Sequence, residues 1–122
     1  MIQEEKELLL VDLCARLPYG VKVYNEPYTF DLDNFEVNST ISETILEIIK
    51  EGWKPYLRPM SSMTEEEKDE LLNLRKEMNM HMHPWIDRIL DFYLSHHLDW
   101  RGLILLGLAL EAPEGMYNYE NN

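Results

Sequence analysis

The apolar period of the chain changes once, early and at a punctuated position, and that change constrains the fold more than any other feature. Over residues 3–17, Leu10, Leu13, Cys14 and Leu17 recur at helical spacing, and Leu8, Leu9 and Val11 widen the stripe. Glu4, Glu5 and Glu7 suit a first turn, where carboxylates meet the positive end of the helix dipole. Pro18-Tyr19-Gly20 stops the helix. Beyond it, Val21-Lys22-Val23-Tyr24 and Tyr28-Thr29-Phe30-Asp31-Leu32 alternate apolar and polar residues around a turn-forming Asn25-Glu26-Pro27. That pattern predicts a β-hairpin. A chain that passes so quickly from period 3.6 to period 2 belongs to the α+β class.

The remaining segments extend the same logic. Residues 33–38 read as a loop or an edge strand. Ile41, Ile45, Leu46, Ile48 and Ile49 predict a short helix ending at Gly52, with Thr40 and Glu43 spaced as a capping box. Pro55 and Pro59 bias the residues before them away from helix, so 53–57 is expected to add a short strand to the hairpin. Thr64 and Glu67 form a second capping box, opening a helix to about Asn79. Pro84 suits the first turn of another helix, apolar around much of its circumference through Trp85, Ile89, Phe92 and Leu94. Asp99 is read as the N-cap of a last helix over Trp100–Leu110, which Ala112-Pro113-Glu114-Gly115 ends. The expectation is one domain over 1–122, with about five helices, a small antiparallel sheet and a frayed tail at 117–122.

Charge acts as a filter on function. Asp and Glu number 23 against 11 Lys and Arg, a net charge of -12 distributed over both halves of the chain. Direct nucleic-acid binding is disfavoured, because Lys and Arg supply most of the affinity for phosphate backbones. An anionic membrane surface is disfavoured for the same reason. The longest apolar run, Leu103 to Leu110, is interrupted by Gly107 and falls far short of the roughly 20 residues of a membrane span. One cysteine, Cys14, makes no intramolecular disulfide and suits a reducing, cytoplasmic setting.

Three blocks carry a resemblance. They are Leu17-Pro18-Tyr19-Gly20-Val21-Lys22, the stretch from Lys54-Pro55-Tyr56-Leu57-Arg58-Pro59 through Thr64-Glu65-Glu66-Glu67-Lys68, and the C-terminal segment. In the last, His96-His97 precedes Asp99, Arg101-Gly102-Leu103-Ile104, Gly107-Leu108-Ala109 and Glu111-Ala112-Pro113-Glu114-Gly115-Met116-Tyr117. Together these blocks resemble a family of small uncharacterised proteins of gut anaerobic bacteria and their prophages or other mobile elements. Residues 24–53 depart from that family, whose members carry a longer β-rich stretch there. The resemblance implies a genetic setting and no chemistry.

The four histidines, His81, His83, His96 and His97, fall in one window and are candidate zinc or nickel ligands. Spacing argues against a shared ion: 13 residues of helix would separate His83 from His96 by about 20 Å. Packing of one ring and a helix C-terminal place for another is the plainer reading. Asp31-Leu32-Asp33-Asn34 fails as an EF-hand loop, because the sixth position is Glu36 and the twelfth Ser42. Ser95-His96-His97-Leu98-Asp99 holds the residue types of a hydrolase, yet adjacency in sequence does not build a triad. Trp53-Lys54 and Trp100-Arg101 could stack bases, though in so acidic a chain core packing is simpler. The loop from Arg58 to Met63 could offer Arg58, Met60 and Met63 to a partner, or fold over its own core.

The leading expectation is therefore a non-enzymatic interaction or regulatory protein of a mobile element, with a protein partner and no cofactor. Two other readings remain. One is an acidic mimic of nucleic acid, with Glu65, Glu66, Glu67, Asp69 and Glu70 arrayed on one face to block a DNA-binding protein. The other is a small metal-dependent or hydrolytic enzyme using the histidine window.

Overall fold

The computed structural model describes residues 2–32, 41–81 and 85–117. Helix α1 (Gln3–Arg16) begins where the Glu5 carboxylate reaches back to the Ile2 amide at 3.1 Å. Its buried face is Leu9, Asp12, Leu13 and Arg16, so two charged residues occupy positions that a purely apolar stripe would hold. Val11 stands in solvent and Cys14 is only partly covered. A 3-10 turn, Leu17–Tyr19, then leads into Gly20, whose φ of 78° only glycine adopts readily.

Strands β1 (Val21–Asn25) and β2 (Tyr28–Leu32) form the expected hairpin, in register from Val21 opposite Leu32 to Asn25 opposite Tyr28. Helix α2 (Ile41–Lys50) follows, and strand β3 (Lys54–Leu57) pairs antiparallel with β1. A second 3-10 turn, Met60–Ser62, precedes α3 (Glu65–His81), and α4 is Trp85–Ser95. Strand β4 (Leu110–Glu111) lies parallel to β3 and completes a sheet of order β2-β1-β3-β4. The sheet is thus mixed rather than antiparallel.

The described residues contain four α-helices, and the expected helix over Trp100–Leu110 is absent. Gly102 and Gly107 have φ values of 76° and 77°, a left-handed geometry that a right-handed helix cannot pass through. Asp99 does cap, accepting the amides of Leu103 at 2.7 Å and Ile104 at 2.9 Å, but it caps a single turn. Leu108 N–H donates to the Leu103 carbonyl at 2.9 Å and closes that turn. The chain emerges from it extended, which is how β4 comes to reach β3.

Alternation sorts the sheet into two faces. Val21, Val23, Leu32 and Leu57 are buried together with Leu9 and Leu13 of α1 and Ile45 and Ile49 of α2. Lys22, Tyr24, Lys54 and Tyr56 alternate with them and remain half-exposed on the other face. A second cluster, with Leu71, Ile89, Phe92, Tyr93 and Leu98, joins α3 to α4. An isolated bridge between Arg58 and Leu98 prolongs β3 into this helical hairpin. No described helix is long and apolar enough to cross a membrane.

Candidate functional site

The two apolar clusters meet along a spine of buried charge. Asp12 and Arg16 are fully buried and paired at 2.7 Å. Arg16 also donates through Nη2 to the Leu98 carbonyl at 2.8 Å, and Arg101 Nε reaches the same Asp12 at 3.1 Å. On the other side of Leu98, Arg58 grips Glu67 with two hydrogen bonds, Nη2 to Oε1 at 2.7 Å and Nη1 to Oε2 at 2.9 Å. Arg58 further donates to the carbonyls of Ser62 and His96. Its 2% exposure removes the guanidinium from any docking surface, contrary to the expectation from sequence. A partner already inside the fold satisfies it.

Glu67 completes the Thr64 capping box as well, accepting the Thr64 amide at 2.8 Å while its own amide donates to Thr64 Oγ1 at 3.1 Å. Burial by itself would raise the Glu67 carboxyl. The hydrogen bonds from Arg58 and Thr64, with the Arg58 charge, outweigh burial and hold it below the usual range. Glu67 thereby drops out of the acidic array that nucleic-acid mimicry would require. Glu65, Glu66, Asp69 and Glu70 remain exposed, with Lys68 against Glu65 at 3.3 Å.

The histidine window divides. His81 ends α3, with a side chain outside the described residues, and His83 lies outside them altogether. Among the described residues no group of three or more His, Cys, Asp or Glu is placed to hold a metal ion. Ser95, His96 and Glu67 do sit in a row that imitates a triad: Ser95 Oγ is 3.2 Å from His96 Nδ1, and His96 Nε2 is 3.8 Å from Glu67. The Phe92 carbonyl breaks it. That oxygen only accepts, and it lies 2.8 Å from His96 Nδ1, so Nδ1 carries the proton and has no lone pair for the serine. The Ser95 hydroxyl donates to the same carbonyl at 3.2 Å. This serine is not activated.

His97 is placed differently. It is the second residue past α4, with φ of 59°, where the Leu98 amide bonds the Tyr93 carbonyl and the His97 amide bonds the Leu94 carbonyl. Glycine normally fills that left-handed position, and a side chain there costs on the order of 1–2 kcal/mol. The imidazole stacks on Tyr117, ring centres 3.8 Å apart and planes 10° apart. Tyr117 is itself pinned: its hydroxyl donates to the Tyr56 carbonyl at 2.6 Å and accepts the Lys22 amide at 2.9 Å. Burial pushes that phenol up to about 12. The residue expected to begin a frayed tail therefore anchors the C-terminal segment across β1 and β3, and 118–122 lie outside the described residues.

His97 and Tyr117 line a surface cleft of about 370 Å³ with Tyr19, Gly20, Lys22, Asp31 and Met116. Burial first, then the charges of Arg16, Arg58, His96 and Lys22, pull His97 down to about 4, so the ring is neutral at pH 7. Its Nδ1 and the Arg16 Nη1 are both buried and have no hydrogen-bond partner among the described residues. Sequence reading weighed His97 as a metal ligand and missed the cleft, whose walls come from segments far apart in the chain.

Met60 and Met63 are half-buried against the α3–α4 cluster, folded over the protein's own core. Trp53 meets Phe30 edge-on at 4.7 Å, and Trp100 stacks on Tyr93 while Arg101 covers it at 4.3 Å. Both tryptophans are thus occupied within the fold. Among the described residues Ile2, Val11, Tyr28 and Leu72 are large hydrophobics left in solvent, and Leu105 is the most exposed of the set at 93%, with Leu106 beside it at 52%, at the tip of the Asp99-capped turn. In sequence these two are hidden inside an apolar run that reads as helix.

The chain matches no protein-family model, no curated protein and no solved structure.

Proposed function

We propose that this chain is a non-enzymatic interaction protein that docks through the Leu105–Leu106 tip onto an apolar socket of a basic protein. One observation carries the reading. The Asp99 carboxylate, 7% exposed, is committed to two backbone amides, and the result is a fixed turn that holds two leucines in water. Leu103 and Leu108 on either side are buried, so the tip is held at both ends. An exposed leucine pair adds nothing to the protein's own core, whereas adjacent apolar side chains held in water offer a surface that a partner can bury. The net charge of -12 favours a basic partner and steers its approach. A regulatory role within a mobile element accords with the resemblance in sequence.

The test is affinity capture from a gut-anaerobe lysate, comparing the wild type with Leu105→Asp/Leu106→Asp by quantitative mass spectrometry. A protein enriched by the wild type and reduced at least tenfold with the variant supports the reading. Identical capture by both, with the variant folded by circular dichroism, overturns it.

A further inference from the structure

We propose that the stacked pair His97 and Tyr117 is an acid-released latch, which holds the segment 110–117 on the sheet until a proton enters the imidazole. The geometry carries the inference. Tyr117 joins two strands beyond the last β1–β3 pair, Val23 with Pro55. Its hydroxyl accepts the Lys22 amide of β1 at 2.9 Å and donates to the Tyr56 carbonyl of β3 at 2.6 Å. Its ring lies against the imidazole, centres 3.8 Å apart and planes 10° apart. Upstream, the segment is tied to β3 by the pairing of Leu110 and Glu111 and by the Ala112 amide on the Leu57 carbonyl at 2.8 Å.

The closed latch tolerates only a neutral ring. His97 Nδ1 is buried and has no hydrogen-bond partner among the described residues. Whichever nitrogen carries the hydrogen in the neutral form, the imidazolium carries one on both, so a proton leaves a buried N–H without an acceptor. The face of Tyr117 attracts a cation but offers nothing to an N–H lying in the plane of the stacked imidazole. Arg16 from α1, Lys22 from β1, Arg58 beyond β3 and the adjacent His96 all oppose a positive charge there. The neighbouring carboxylates are committed: Asp31 of β2 to Lys22 at 2.6 Å, Asp12 to Arg16, and Glu67 to Arg58. The phenols of Tyr19 and Tyr117, which also line the cleft, are uncharged in acid and supply no counter-charge.

Geometry also decides which partner leaves. The backbone at His97 is fixed by three hydrogen bonds: its amide to the Leu94 carbonyl, the Leu98 amide to the Tyr93 carbonyl, and the Arg58 amide to its own carbonyl at 2.8 Å. Tyr117 is held by the stack and its hydroxyl. Protonation therefore displaces Tyr117, admits water to Nδ1 and loosens the segment behind it. In the closed form the imidazole takes its proton at about 4, and in the open form at the ordinary 6.5. The open form thus gains as pH falls through 6.5, by about 30-fold between pH 7.5 and pH 5, and stops gaining below 4. The latch does not involve the Leu105 and Leu106 side chains, so either proposal stands without the other.

The experiment is native-state hydrogen exchange of 15N-labelled protein at pH 7.5 and pH 5, corrected for intrinsic exchange and repeated at low urea. The readouts are the Lys22 and Ala112 amides, with the Leu13 amide of α1 reporting global unfolding. Protection at Lys22 and Ala112 is expected to fall about 30-fold on acidification, with little dependence on urea, while Leu13 stays slower and urea-sensitive. His97→Phe keeps an aromatic ring at the stack and should abolish the fall. If that variant fails to fold, Tyr117→Leu should leave Ala112 weakly protected at both pH values. Equal protection in the wild type at the two pH values, a urea dependence at Lys22 and Ala112 matching Leu13, or a fall that survives in His97→Phe overturns the proposal. Wild-type protection of Ala112 at pH 7.5 in Tyr117→Leu does so as well.

Discussion

Arg58 and Glu67 stand nine residues apart in the chain and close on one another through paired hydrogen bonds of 2.7 and 2.9 Å, almost out of solvent. One side chain leaves the end of β3 and the other the first turn of α3, so the pair fastens the helical hairpin to the sheet. Removing one partner strands the other charge in the interior. Glu67→Gln or Arg58→Met is therefore expected to cost about 3–5 kcal/mol in urea denaturation. Replacing both with apolar residues of similar volume should recover much of that loss. A double variant destabilised by the full sum of the two single losses would show that the pair is not coupled.

Acid should act in two separable windows. The folded-state value of His97, about 4, lies below its ordinary 6.5, so the unfolded chain takes up a proton that the folded one refuses. Stability then falls as pH drops from 6.5 toward 4 and levels off below. Glu67, held below its ordinary 4.5, contributes stability above that value and loses it as pH falls further. In thermal melts against pH, His97→Phe should flatten the upper window alone. A profile unchanged between 6.5 and 4 would contradict the placement of this ring among Arg16, Arg58 and Lys22.

The turn at 99–108 predicts opposite outcomes for neighbouring leucines. Leu105→Asp should change stability by no more than about 0.5 kcal/mol, because the side chain is already in water. Leu103→Ala, with a fully buried side chain two residues away, should cost about 2–5 kcal/mol. Asp99→Ala should speed hydrogen exchange at the Leu103 and Ile104 amides and cost about 1–3 kcal/mol, since both lose their acceptor. Equal sensitivity of Leu103 and Leu105 in chemical denaturation would refute this account of the turn.

The Tyr117 phenol should titrate late. With its phenol pushed up to about 12 by burial, absorbance at high pH is expected to show a late step that Tyr117→Phe abolishes. The same variant leaves the Lys22 amide and the Tyr56 carbonyl without their shared partner. A destabilisation of about 1–3 kcal/mol follows. An intact late step in the variant would assign that phenol elsewhere.

Local chemistry made much of the fold legible. The Pro18-Tyr19-Gly20 stop, the alternation through Val21–Tyr24 and Tyr28–Leu32, and the Thr64–Glu67 box act over a few residues, and each appears where the pattern put it. Propensity and period also suggested a helix from Trp100 to Leu110, because an apolar run says nothing about its glycines' φ. Positive φ at Gly102 and Gly107, and the parallel pairing of Leu110 with Tyr56, arise only when β3 is in place to receive the strand.

The sites were less legible, and for a physical reason. Whether a charged or aromatic side chain is buried depends on what packs over it from elsewhere in the chain. Arg58 reads as a surface contact until Glu67 and the His96 carbonyl surround it, and only the fold closes Asp12 and the Leu98 carbonyl on Arg16. The sequence by itself determined the class, the hairpin, the caps and the acidic surface, all set by interactions between near neighbours. Only the tertiary structure decided which charges went inside, which leucines stayed outside, and that His97 would lie against Tyr117, because those outcomes rest on contacts between distant segments.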